Sequence, residues 1–313
     1  MRAKTRFRRA SWAFLALAIL GLSPQTKPTA PARQKTFDTP QAAAEALVAA
    51  AEKNDTAALM EILGPDAKGL IDSGDAVKDR NDIETFAKRA RARMHVDPDE
   101  IDPSVMVLSV GEDDWPTPIP IVKQGNKWRF DTKAGKREIL VRRIGSNELD
   151  AIELLRGYVE AQHDYSFIEH DGSGMRQYAQ KVISTPGKQD GLSWKNTDGT
   201  YGGPMGNVLA QALAEGHKSK TEPFNGYYFR ILTAQGPAAR LGARNYVVNG
   251  QMIGGFAMVA WPANYEVTGI QTFQVNQDGV VYQKDLGLQT AKLAQAITRY
   301  NPDKTWTITE DEP

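Results

Sequence analysis

The sequence predicts an α+β protein in two parts, and three observations lead there. Apolar residues recur at helical spacing in the first third of the chain. From residue 104 onward, short alternating runs and hairpin turns take over. Neither half shows the regular strand–helix–strand alternation of a Rossmann domain. With 41% hydrophobic and 24% charged residues in 313, the chain can bury a core, which excludes collagen-like, coiled-coil, wholly disordered and multi-span membrane classes.

Thr39-Pro40 supplies a helix cap with proline at the first helical position, and Ala44, Leu47, Val48 and Ala51 fall on one face. Thr56 to Leu63 reads as a second short helix stopped by Gly64-Pro65. Ile83, Phe86, Ala87 and Ala90 predict a third, capped by Asn81 or Asp82. Strands are expected at 105–110, 118–123 and 127–131, the last two joined through Gln124-Gly125-Asn126, with another at 138–144. A helix is then expected from Asn147 to about His163, with Ile152, Leu155 and Val159 on one face.

In the second half, strands are expected at 226–233, 243–248, 253–260, 269–275 and 280–284, and helices at 204–213 and 290–300. Asn249-Gly250 is a type I′ hairpin signal, and residues 276–279 form a turn between the last two strands. The polar, glycine-rich passage 164–190 marks the expected boundary, giving an α+β domain over 33–164 and a second α+β domain, built on a twisted antiparallel sheet, over 165–313.

Charge adds a compartment. The chain holds 38 basic and 38 acidic residues, yet residues 1–32 hold six basic and no acidic ones. An apolar run from Ala10 to Leu22 comes after the basic start, and Ala30-Pro31-Ala32 offers a small-x-small cleavage site. This pattern predicts a signal peptide over residues 1–32, too short for a bilayer span, and a mature protein that is periplasmic or secreted. The remainder is net acidic by six, all of it within 33–164, while 165–313 balances. Zero cysteines exclude disulfides, thiolate metal sites and a cysteine nucleophile.

No intact catalytic motif is present: there is no H-E-x-x-H, G-x-S-x-G, P-loop or G-x-G-x-x-G string. The densest polar cluster is His163-Asp164 with Glu169-His170-Asp171 just beyond it. His163, His170 and Asp171 are the candidate catalytic residues, since imidazole beside carboxylate can exchange protons. Glu169, His170 and Asp171 are the candidate metal ligands, although a solvated helix end is the plainer alternative. A helix continuing past Tyr165 would put His163 and His170 on one face. The acids Asp97, Asp99, Glu100 and Asp102, then Glu112, Asp113 and Asp114, are oxygen-rich but lack the spacing of a calcium loop, so they read as a solvated rim. Trp115, Trp128, Trp194 and Tyr228 are candidate ligand-binding aromatics, with Tyr201, Tyr227 and Trp261 nearby in type. Tyr227 and Tyr228 must point to opposite faces of their strand. Lys181, Lys188, Arg240 and Arg244 are too dispersed for a nucleic-acid footprint.

Several strings resemble an exported family of Gram-negative bacteria known as domain of unknown function 2950. They are Tyr178 to Trp194 (YAQKVISTPGKQDGLSW), Gly226 to Gly236, Tyr246 to Phe256 and Val275 to Gly287, with Asp114 to Pro120, Lys127 to Asp131 and Arg143 to Glu148 in the first half. The resemblance covers nearly all of the mature chain and implies no activity. The family often carries an Asp-rich run before the Tyr-Ala-Gln string, where this chain has only Glu169-His-Asp-Gly-Ser-Gly174. The helices-then-sheet order of the first half, with its Gly-Asn-Lys-Trp-Arg-Phe strand, resembles nuclear-transport-factor-like domains. The Gly226–Gly287 sheet resembles the globular heads of pilin-like proteins, without the long apolar N-terminal helix of a filament subunit.

These features lead to the expectation of a cell-envelope protein that is a non-catalytic binding or assembly module. Its partner would be an envelope protein, peptide or glycan, with no nucleic acid, no cofactor and no stable membrane span after cleavage. The alternative is a periplasmic hydrolase built on the cluster at 163–171.

Overall fold

The computed structural model describes residues 34–310 apart from 73, 75, 171 and 206–222. The expected signal peptide, Asp171 and all but the start of the expected helix 204–213 lie outside the described residues. The fold is α+β. Its helices are α1 (Pro40–Glu52), α2 (Thr56–Leu63), α3 (Lys68–Ile71), α4 (Ala76–Ala92), α5 (Thr132–Ser166) and α6 (Thr290–Ala296). Its strands are β1 (Met94–Pro98), β2 (Val105–Val110), β3 (Trp115–Pro116), β4 (Ile121–Gln124), β5 (Lys127–Phe130), β6 (Trp194–Lys195), β7 (Tyr201–Gly202), β8 (Tyr227–Leu232), β9 (Ala234–Gln235), β10 (Arg244–Asn245), β11 (Val247–Val248), β12 (Gln251–Met252), β13 (Ala257–Pro262), β14 (Gln271–Asn276), β15 (Tyr282–Asp285) and β16 (Thr307–Ile308).

The chain divides into two compact units. Of the described residues, one unit comprises those up to 96 with 110–114 and 121–130; the other comprises those of 97–109, 115–120 and 131–310. The expected boundary at residue 164 falls inside α5, which belongs wholly to the second unit.

In the first unit, Thr39 caps α1 through a hydrogen bond from the Ala42 amide, and Ala43, Ala44, Leu47, Val48, Ala50 and Ala51 are buried. Asp55 caps α2, which ends at Gly64 with φ +82°, a conformation that favours glycine. Helix α4 starts at Ala76, five residues before the expected Asn81. Its extra turn consists of helix-compatible residues and carries the i,i+4 ion pair Lys78–Asp82. The β4–β5 hairpin forms as expected, with Gly125 at φ +62° in its turn.

The expected strand at 138–144 does not exist. That stretch is the second and third turns of α5, a single 35-residue helix. Two contacts explain the outcome. Asp131 caps the helix by accepting the Ala134 amide, and Gly135 passes so close to Ile119 that a Cβ there would come within 2.6 Å of its side chain. The β-branched residues Ile139, Val141 and Ile144 mimic a strand locally, and tertiary packing overrides them.

The second unit centres on an antiparallel sheet in the order β16-β15-β14-β13-β8. Every residue of β13 is buried, so both sheet faces must be covered. Tyr227, whose hydroxyl approaches Glu148 of α5, and Arg230, whose guanidinium reaches the carbonyls of Ala294, Gln295 and Ile297 around the end of α6, point to opposite faces of β8. Helices α5 and α6 therefore cover opposite faces. Arg230 also lies over the Trp261 ring, 5.3 Å from its centre, and its charge suits the negative end of a helix. Asn249-Gly250 joins β11 to β12 with both residues at positive φ, as a type I′ turn requires.

Candidate functional site

Helix α5 delivers the histidine cluster. Gln162, fully buried, donates to the Ala179 carbonyl at 2.8 Å and to the Tyr158 hydroxyl at 3.0 Å, and accepts the Ala179 amide at 2.8 Å. The helix thus clamps the start of the Tyr178–Trp194 segment. Burial pushes the Tyr158 hydroxyl up, well above the ordinary phenol range. One residue on, His163 is exposed and sets its ring edge-on to Phe256 (5.4 Å between centres) and Tyr178 (6.4 Å).

Helix α5 ends at Ser166, so the helical continuation that would align the two histidines does not occur. The chain instead doubles back and stacks His170 on Tyr165, with ring centres 3.9 Å apart and planes within 13°. His170 Nε2 donates to the Tyr165 carbonyl at 3.1 Å; Trp194 lies 5.8 Å away, and Nδ1 is buried with no hydrogen-bond partner among the described residues. Glu169 turns its carboxylate to the Ser173 amide at 3.0 Å. His163 and His170 therefore take different aromatic partners. Among the described residues, no group of three or more histidines and carboxylates is arranged to hold a metal ion.

The glycine-rich loop after Tyr178 is locked by Asp190. Its carboxylate accepts from the Thr185 amide (2.7 Å), the Thr185 hydroxyl (2.8 Å) and the Lys181 ammonium (2.7 Å). Burial pushes this carboxyl up, but the hydrogen bonds from Lys181 and Thr185 together outweigh it and hold it at about 2. Gly191 passes against the Ile183–Ser184 backbone, where a Cβ would sit 2.8 Å from main-chain atoms. The TPGKQDG string is thereby accounted for as loop architecture.

The acidic candidates have local uses. Asp99 accepts the amides of Ile101 and Asp102, and Asp102 accepts the Ser104 amide and hydroxyl, whose hydrogen bonds pull its carboxyl down. Asp113 binds Arg89 through both oxygens at 2.6 and 2.8 Å, while Asp114 faces Arg93 at 3.2 Å and His95 at 3.5 Å.

The aromatic candidates each take a separate partner. Arg142 lies over Trp115, Lys123 over Trp128, His170 beside Trp194, and Tyr228 beside Trp261. Tyr227 is buried and Tyr228 half-buried, on opposite faces as expected.

Two features escape the sequence reading. Asn147 donates to the Thr268 carbonyl at 2.8 Å, and Glu148 accepts the amides of Ile270 (2.7 Å) and Gln271 (2.9 Å). The Asn-Glu pair therefore stitches α5 to the loop entering β14. The string Arg143 to Glu148 was its signal. The second feature is a crevice of about 470 Å3 in the first unit. Met60, Ile71 and Ile83 supply its apolar lining, with the exposed cations Lys68 and Arg80 and the carboxylates Asp72 and Asp79 beside them. Neither cation is in an ion pair among the described residues. Asn54, at φ +50°, also lines it and has a buried amide oxygen with no partner among the described residues. Nothing in local periodicity announces this crevice, because its residues come from three helices and a turn.

A family model described as a protein of unknown function, DUF2950, matches residues 34–309. No curated protein and no solved structure matches the chain.

Proposed function

This chain belongs to the DUF2950 family, whose function is unknown, and we propose that it is a non-catalytic binding module of the cell envelope. The crevice carries this reading. Its volume of about 470 Å3 lies within the size range of small-ligand sites, and an apolar lining with a few polar groups is the composition such sites use. A peptide or small zwitterionic amphipathic molecule, with an apolar group for Met60, Ile71 and Ile83 and polar groups for Lys68, Arg80, Asp72 and Asp79, fits that lining. The different aromatic partners of His163 and His170 favour binding over hydrolysis. The basic, then apolar, start of the chain supports export to the periplasm or beyond.

The test is capture. Mature protein is used to pull ligands from envelope extract, and the co-purifying species are identified by mass spectrometry. The variant Ile83→Glu, which places a charge in the apolar lining, should lose the captured species while keeping a wild-type circular dichroism spectrum. Equal capture by wild type and variant would overturn the crevice reading. Fractionation tests export separately: a shortened chain is expected in the periplasmic or culture fraction, and full-length protein retained in the cytoplasm would refute it.

A further inference from the structure

Helix α5 segregates its charges, basic in its first third and acidic beyond. Between Lys133 and Arg143 it has five cations (Lys133, Lys136, Arg137, Arg142 and Arg143) against Glu138 alone. Between Glu148 and Asp164 it has five acids against Arg156. The helix dipole is felt only in the terminal turns, where the Asp131 cap suits it and Lys133 opposes it, so it gives no reason for the cations beyond the first turn. The acids nearest the middle have internal reasons for their places: Glu148 accepts the Ile270 and Gln271 amides, and Asp150 accepts from Asn225 at 3.0 Å. Arg142 is likewise used, by Glu138 at 2.7 Å, the Pro116 carbonyl at 2.6 Å and the Trp115 ring.

Lys133, Lys136, Arg137 and Arg143 have no such reason. All four are exposed, and among the described residues none lies within ion-pair distance of a carboxylate. At 100° per residue they share one face with Leu140, half-buried, and Val141, 62% exposed, over roughly 15 Å of helix. Four exposed cations on one helix face, with no carboxylate within ion-pair distance among the described residues, are open to an anion outside the molecule. The apolar side chains among them narrow the choice, because a purely polyanionic partner has no use for Val141, whereas a bilayer surface offers phosphates to the cations and the edge of the acyl region to valine.

We propose that this face of α5 docks peripherally on a membrane surface rich in anionic phospholipid. It does not depend on the crevice, and its failure would leave that reading intact.

The absence of cysteine makes a site-specific test clean. The full chain carrying Val141→Cys is labelled with an environment-sensitive nitrobenzoxadiazole probe and mixed with vesicles of phosphatidylglycerol and phosphatidylcholine, or of phosphatidylcholine alone. The basic start of the chain can also attract vesicles, but the probe reports only its own surroundings. Its fluorescence should rise at least about twofold with the anionic vesicles, stay flat with the neutral ones, and lose the rise at about 0.5 M salt. Adding Lys133→Glu and Arg137→Glu should raise the lipid concentration for half-maximal response by at least about tenfold, with Lys133→Gln and Arg137→Gln intermediate. A probe at Leu149, 58% exposed on another face, should remain water-like. The proposal is overturned by a silent probe at 141, by equal responses at 141 and 149, or by an equal response to heparin or duplex DNA, which would make the partner a soluble polyanion.

Discussion

Each of the two units is stabilised by a different kind of contact. The second unit keeps its aromatics inside: Tyr158, Tyr227, Tyr246, Phe256 and Phe273 are each at most 1% exposed, and the buried amides Gln162 and Gln235 are hydrogen-bonded, Gln162 to Ala179 and Gln235 to the Tyr246 hydroxyl. The first unit buries mainly alanine and aliphatic side chains, and supplements them with ion pairs at the surface such as Arg89–Asp113 and Arg91–Glu52. Aromatic burial contributes several kcal/mol per residue, whereas exposed ion pairs contribute little and are screened by salt. The larger aromatic core therefore lies in the second unit. The first unit holds the crevice.

Truncating that aromatic core should give the largest effect. Phe256 is fully buried and meets Tyr158 edge-on at 5.6 Å, Tyr178 at 4.8 Å and His163 at 5.4 Å. Phe256→Ala should destabilise the protein by about 3–5 kcal/mol in chemical denaturation. A loss below about 1 kcal/mol would mean that the aromatic cluster is not what holds the second unit.

The stitch between α5 and β14 ranks next. Glu148→Ala leaves the Ile270 and Gln271 amides without their carboxylate and should cost roughly 2 kcal/mol. Glu148→Gln keeps an acceptor oxygen and should lose about half as much. Equal losses would show that charge, not the acceptor, matters at this position.

How much of this could be read from the chain varies by the kind of signal involved. The hairpins were legible because Asn249-Gly250 and Gln124-Gly125-Asn126 specify backbone angles by themselves. The first helices were legible through their caps at Thr39 and Asp55. The N-terminal half of α5 was not, since Ile139, Val141 and Ile144 suit a strand and only the Asp131 cap and the Gly135–Ile119 approach decide for helix. The candidate site shows the same divide. Composition and spacing picked out His163 and His170, but spacing cannot tell that the chain turns after Ser166 and lays His170 under Tyr165. The crevice needs three helices to exist before it can be seen.

A pH measurement sharpens the comparison further. Asp190, held at about 2 by Lys181 and Thr185, has a lower folded-state value than the roughly 3.9 of an unfolded aspartate. A depressed carboxyl stabilises the fold above the unfolded value, and that contribution is lost as pH falls toward the folded one. Asp190→Asn should therefore cost about 1 kcal/mol at neutral pH, with the gap between wild type and variant closing between about pH 4 and pH 2. A gap that persists unchanged at pH 2 would assign the effect to amide geometry and not to charge.

The smallest effect is expected in the first unit. Asp113 binds Arg89 through both oxygens, and that contact draws its carboxyl down, yet its side chain is 64% exposed. Water and salt compete for both partners, so Asp113→Ala should lower the thermal midpoint by less than about 3 K at low salt. In about 0.5 M sodium chloride the difference should vanish, because exposed pairs are screened over distances of a few ångströms. If the loss instead rivals that of Glu148→Ala, or survives high salt, the surface pairs of the first unit are structural, and the contrast between the two units fails on that side.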